Sequence, residues 1–335
     1  MFPTGHTARV WSELRGLPLT GSRAWGLPLV CDGRVVHNAG KDELPGVFPS
    51  AGGGLPPRGD LPRDAVALVL HDLVDDDGVI ARLLATQPEA TAHRRYDCAV
   101  AEFGDDPEAY AHRQLSTKRR KRLRHDRRQI ERRGQLAIEW VGPERVEAVF
   151  DAFFHTLCVR AAHTGRYDDN VTRARFLREL WRRGAGGDLW ISVLWVGGRP
   201  VSFRTGFVVQ DRFVGFMPSV DRDFDSASVG HLHMQMLLPE LARKGVTAYY
   251  MGKGATDAKD IWGTGAYALW TVVVPVTDSP RARAAVAAVN ARQRLRRTIT
   301  ARGWEKPLRR GLHWAALRRR GAYRRALRAH GARAR

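Results

Sequence analysis

The segment SASVGHLH, residues 226–233, sets a serine and a glycine at the start of an apolar helical pattern. The first amides of a helix lack backbone partners, and the helix dipole adds partial positive charge there. Ser228, Val229, Gly230 and His231 can therefore present amides to a phosphate or to a developing oxyanion. The plainer alternative is that Ser228 is an ordinary N-cap. Downstream, GKGATDAKDIW places Gly252, Gly254, Lys259 and Trp262 around a strand-to-helix turn. Such a lysine either pairs with a substrate carboxylate or phosphate beside the indole, or is solvated next to a core tryptophan. No G-x-S-x-G and no cysteine beside a patterned histidine occurs, so no serine or cysteine nucleophile is expected. His231 and His233 stand two apart with no third ligand at metal spacing, and no metal is expected.

A second feature is the stretch STKRRKRLRHDRRQIERRG, residues 116–134, with ten Lys or Arg against Asp126 and Glu131. It has neither the interleaved aromatics of a single-strand binder nor a groove-reading motif. Leu115, Leu123 and Ile130 give it one narrow apolar edge, with Ser116 as N-cap and Gly134 as a stop. This is a basic helix with one narrow buried edge. From Arg281 onward eighteen Lys or Arg face Glu305 alone, within a formal net charge of +20. The last helical pattern carries Leu308, Leu312, Ala316, Tyr323 and Leu327 on one face. It could lie on an anionic membrane, hold RNA phosphates, or pack on the body of the protein.

The remaining composition is that of a globular chain, 44% apolar and 27% charged over 335 residues. Cys31, Cys98 and Cys158 are far apart and odd in number, which fits a reduced, cytoplasmic setting rather than a disulfide or zinc framework. The opening MFPTGHTARVWSEL lacks the apolar run of a secretory signal, and ALWTVVVPV is too short to span a bilayer.

Residues 1–60 are rich in Gly and Pro. Beyond them the elements alternate: a strand AVALVLHDLV, a helix DDGVIARLLATQ, a strand YDCAVAEF, a short helix opened by Pro107, and the basic helix. LAIEWV then leads into two helices ending near Gly165 and Gly184, and LWISVLWV, PVSFRTGFVVQ and FVGFMPSV form an antiparallel meander. The loop DRDFDSAS opens the helix VGHLHMQMLLPELARKG, followed by strand TAYYMG, a short helix TDAKDIWGTG and strand AYALWTVVVPV. Two helical segments follow Pro280.

That order, with its local residues, resembles a GNAT acyltransferase of the CelD-like group, related to the FemAB-type aminoacyl ligases. The resemblance rests on the basic helix Ser116–Arg124 with Gly134, on Ser228–Gly230 after the meander, and on Gly252, Gly254, Lys259 and Trp262. It covers roughly residues 100 to 275. The sequence departs from the group at Ala258, where an aromatic is common, and at Val229, where proline is frequent. The glycine-rich pyrophosphate loop of ordinary acetyl-CoA enzymes is missing.

The resemblance implies an α/β (α+β) GNAT fold, with 1–115 a degenerate GNAT-like half, 116–280 the acyltransferase domain and 281–335 a basic helical extension. It implies N-acyl transfer from acyl-CoA to a small-molecule amine by direct attack. Asp225, His163 and Lys259 are the catalytic candidates, and His163 can equally be a helix-end surface histidine. Ser228, Val229, Gly230 and His231 would bind the donor, and Trp262, Gly252, Gly254 and Tyr167 the substrate. Two other functions stay open. One is transfer from aminoacyl-tRNA, held by Lys118–Arg133 and the tail. The other is a non-catalytic binder of nucleic acid or of a membrane surface.

Overall fold

The computed structural model describes residues 61–75, 78–142, 145–164, 167–183, 189–253 and 257–302, with Arg9, 12–13, 19–20, 29–32 and 34–38. Eleven strands form one mixed sheet in the order β1-β2-β3-β4-β11-β5-β10-β9-β8-β7-β6. The strands are β1 Leu19–Thr20, β2 Leu29–Asp32, β3 Val35–Asn38, β4 Ala67–Val74, β5 Thr91–Glu102, β6 Leu136–Val141, β7 Leu189–Val196, β8 Arg199–Val209, β9 Arg212–Val220, β10 Ala248–Tyr250 and β11 Gly265–Pro275. The helices are α1 Val79–Thr86, α2 Pro107–Gln114, α3 Thr117–Glu131, α4 Val146–Thr164, α5 Tyr167–Arg182, α6 Val229–Arg243, α7 Asp257–Trp262 and α8 Pro280–Ala301. The segment expected as a loop after β9 is a short 3-10 helix, Arg222–Ala227. The helical pattern expected beyond α8 lies outside the described residues.

Alternation along the strands feeds two cores. Ile191 and Val193 of β7 join Phe150, Phe153, Leu177 and Phe203 beneath α4 and α5. Leu194 and Val196 join Leu232, Leu237, Phe213 and Tyr249 on the α6 side. The basic helix α3 belongs to that second core through Leu123 and Ile130, and its N-cap Ser116 accepts from the Arg119 amide. Its charges project outward because only Leu123, Asp126 and Ile130 are buried.

β6, β7, β8 and β9 run antiparallel, whereas β9 and β10 run parallel because α6 forms the crossover between them. Their pairing covers only Arg212–Val214 against Ala248–Tyr250. Beyond Val214, β9 runs on to Val220 while β10 ends at Tyr250, and the unpaired stretch between the two chains is the candidate cleft. β11 inserts between β4 and β5 and ties residues 67–102 to the rest of the sheet. No helix among the described residues is long and apolar enough to cross a membrane.

Candidate active site

The cleft begins at two glycines. A Cβ on Gly215 would lie 2.5 Å from the Tyr249 ring, and one on Gly252 would lie 3.1 Å from the Gly215 carbonyl. Gly252 also has φ 69, the left-handed region that side chains disfavour. Its carbonyl accepts a hydrogen bond from Lys259 Nζ. Lys259 is 9% exposed, so it is not a solvated lysine, and burial lowers its pKa. Lys259 therefore places a cation at the apex of the cleft.

The mouth is the start of α6. Ser228 is its N-cap with φ 48, and its side chain makes no capping bond; its carbonyl accepts from the amides of His231 (2.8 Å) and Leu232. Beneath this turn lies Arg204, from β8. Its guanidinium donates to the Gly230 carbonyl at 2.8 Å and to Tyr249 Oη at 3.2 Å, and it is 7% exposed. Its Nε is buried without a hydrogen bond. A buried cation thus adds to the positive end of the helix dipole.

His231 lies on the first turn of α6. Trp262 Nε1 donates to His231 Nδ1 at 3.0 Å. An indole N–H only donates, so Nδ1 is the acceptor and the neutral ring carries its proton on Nε2. Burial lowers the His231 pKa, and the charges of Arg204 and Arg119 lower it further. Neutral His231 is therefore a hydrogen-bond donor through Nε2. Trp262 itself is fully buried, and Tyr110 Oη donates to its carbonyl.

The approach to α6 is clamped from two sides. Arg199 binds the carboxylates of Asp221 and Asp223, and Arg133 of the basic stretch donates to the Asp223 carbonyl and covers the Phe224 ring. The basic stretch thus contacts the loop that leads to Ser228.

Of the residues singled out in the sequence, Ser228, Val229, Gly230, His231 and Trp262 meet at the mouth, and Gly252 and Lys259 at the apex. His163 lies in the last turn of α4, Tyr167 opens α5 and Asp225 lies in the 3-10 helix, but the placement of their side chains is outside the described residues. Gly254 is outside them as well. Arg204 escaped the sequence reading, although an arginine within the apolar run PVSFRTGFVV was a usable signal.

Beneath α6, His233 is fully buried between Ser192 Oγ (2.9 Å from Nε2) and Ser202 Oγ (2.8 Å from Nδ1). Burial, with the charge of Arg204, holds its pKa well below the ordinary 6.5. The folded protein keeps this ring neutral, whereas the unfolded chain takes up a proton below about 6.5. Stability is therefore expected to be full above that value. It should fall by up to about 1.4 kcal/mol per pH unit as pH drops toward the depressed folded pKa. Urea unfolding at pH 7 and pH 5 tests this, and an unchanged midpoint would contradict it.

A sequence model of the acetyltransferase (GNAT) domain matches residues 117–260. The chain carries a GNAT fold. Among solved structures, a conserved protein of unknown function from Bacteroides thetaiotaomicron superposes with a TM-score of 0.55 at 14% identity, covering 81% of this chain and 90% of that one. FemX does so with a TM-score of 0.54 at 10% identity, covering 81% and 92%. The C-terminal domain of a putative lysylphosphatidylglycerol synthetase from Agrobacterium fabrum gives 0.51 at 12%, covering 84% and 91%. No curated protein matches the sequence. The domain match supports transferase activity.

Proposed function

We propose that the protein is an N-acyltransferase of the CelD-like kind, moving an acyl group from acyl-CoA to an amine by direct attack. The observation that carries this reading is the end of β9–β10 pairing at Val214, with the start of α6 beside it. A pantetheine arm fits such an opening as an extra strand-like segment. Its phosphates would meet the α6 amides, with Arg204 below and Arg119 near His231.

In the transfer, the amine lone pair forms the new C–N bond and the C–S bond breaks, leaving its electron pair on sulfur. The proton shed by nitrogen ends on that sulfur. Lys259 is assigned to this proton movement. Its ammonium gives a proton to the thiolate, and the proton lost from nitrogen as the C–N bond forms restores it; Asp225 and His163 are the candidate bases that, before attack, take a separate proton from the acceptor's ammonium form and free its lone pair. His231 Nε2–H is the candidate donor for the oxyanion.

A second reading, transfer from aminoacyl-tRNA, draws on the outer face of α3. Lys118, Lys121, Arg124 and Arg128 are exposed there and make no ion pair among the described residues. Calorimetric titration with CoA and with tRNA, at about 50 and 500 mM salt, separates the two. CoA is expected to bind with Kd in the range of about 1 µM to 1 mM, weakening only a few-fold with salt. Binding of tRNA alone, lost steeply with salt, would replace the CoA reading. Binding of neither would leave a non-catalytic protein on this fold.

A further inference from the structure

The basic helix α3 carries part of its charge as an ordered row. Lys121, Arg124 and Arg128 each stand two residues before a buried position, Leu123, Asp126 and Ile130. Two residues turn a helix by about 200°, so these three cations occupy the face opposite the buried edge. All three are exposed, as is Lys118 just before them, and none of the four makes an ion pair among the described residues. Arg122 and Arg127, by contrast, are paired with Asp126 and Glu131. From Lys118 to Arg128 the row is about 15 Å long.

The helix that bears the row stands beside the mouth of the cleft. Leu123 and Ile130 pack in one cluster with Val229 and Leu232 of α6. Arg133, just after α3, donates to the Asp223 carbonyl in the 3-10 helix that leads to Ser228. Arg119 is close enough to α6 for its charge to act on His231. The row is thus turned to solvent next to the place assigned to the donor phosphate.

Stability does not account for the row, because like charges three and four residues apart on a helix repel. A membrane does not suit it, since Leu123 and Ile130 are the apolar residues of α3 and both lie in the core, leaving none to insert. CoA is too small for it, because the phosphates of CoA all belong to one nucleotide. The connection from β9 into α6 also has no glycine before Gly230, so it lacks the close-set free amides that grip a diphosphate. One helix start with Arg204 beneath it suits a single phosphate. A nucleic acid lacks the pantetheine arm assigned to the cleft, and exposed Asp105, Asp106 and Glu108 directly precede the basic helix along α2.

We propose that α3 is the docking surface for an acidic carrier protein, which delivers the acyl group on a phosphopantetheine arm. An acidic helix of the carrier lies along Lys118, Lys121, Arg124 and Arg128, where the charges are complementary. The arm, attached through one phosphodiester, passes the start of α6 and enters between β9 and β10. The acceptor amine forms the C–N bond, the C–S bond of the arm breaks, and the carrier leaves with the proton on its thiol. The inference rests on the acyl-transfer reading and names the donor class. CoA is the free form of the same arm and occupies the cleft without touching the row.

The test is fluorescence anisotropy on the full chain with a bacterial acyl carrier protein as probe, with and without its arm, beside titrations with CoA and tRNA. The carrier with its arm is expected to bind at least about tenfold tighter than the carrier without it. Lys121→Glu, Arg124→Glu and Arg128→Glu together should weaken the armed carrier at least about tenfold and leave CoA affinity within about twofold. Thermal melts establish folding of the triple variant, and Lys121→Ala with Arg124→Ala decides the question where it is unfolded. Equal binding of the two carrier forms, or a folded variant without effect, overturns the docking. Binding of tRNA without binding of the armed carrier overturns it as well, in favour of the aminoacyl-tRNA reading. CoA binding without carrier binding rejects the inference alone and keeps acyl-CoA as donor. Carrier binding in the expected pattern without CoA binding keeps the inference and removes free CoA as donor. Binding of neither rejects both.

Discussion

Lys259→Met is expected to abolish acyl transfer, lowering kcat by about 10²- to 10³-fold, while CoA affinity changes little. The size follows from removing one preorganised charge from a desolvated site. The separation of effects follows from geometry. Lys259 Nζ bonds the Gly252 carbonyl at the apex, whereas the donor phosphates are assigned to the mouth, around Ser228–His231 and Arg204. Methionine matches the length of lysine and fills a site that is already 9% exposed, so the fold should survive. The pH profile adds a second readout. Burial lowers the Lys259 pKa from its ordinary 10.5, so the alkaline limb of kcat should lie below that value in the native enzyme and disappear in the variant. Single-turnover rates with a competent amine, beside CoA titration, check both. Equal loss of CoA binding would show that Lys259 acts on the donor, and an unchanged kcat would remove it from the proton path.

The contrast between what could be read early and what could not follows from range. Pro107 and Ser116 announce helix starts by local chemistry, and the structure places the Ser116 side chain on the amide of Arg119, with Asp106 capping the helix at Pro107 through the Ala109 amide. The meander was legible because the alternation of LWISVLWV and the Gly197–Gly198 turn are local as well. Partner choice is not local. Nothing in AYALWTVVVPV states that β11 leaves the meander to insert between β4 and β5, more than 160 residues earlier. For the same reason nothing local shows that Asp72 and Arg95 stand at register irregularities against β11, because a bulge is a mismatch between two strands that neither strand shows alone. Lys259 was recognisable as a candidate, but its burial was not. The residues 257–262 that carry it look like a solvated helix until Gly252 is seen against Gly215.

Gly215→Ala is expected to destabilise the protein by roughly 2 kcal/mol and to loosen the mouth of the cleft from a distance. The added methyl would lie 2.5 Å from Tyr249 Cε2 and 2.8 Å from its hydroxyl, far inside contact distance. Tyr249 is 4% exposed and packs edge-on against Phe213, with ring centres 5.1 Å apart, so it cannot swing into solvent to yield. The glycine opposite, Gly206, leaves no room either, because its own Cβ position meets the Phe213 ring and the Val214 carbonyl. The strain passes to the Tyr249 hydroxyl, which receives Arg204 Nη1, and Arg204 Nη2 is what holds the Gly230 carbonyl. Displacing that guanidinium withdraws a buried cation from the start of α6, so CoA affinity should fall by about tenfold. Urea unfolding and CoA titration of the variant measure the two effects separately. Lost stability with full CoA affinity would mean that Arg204 holds its place without Tyr249, and the chain from glycine to tyrosine to arginine would then end at the sheet.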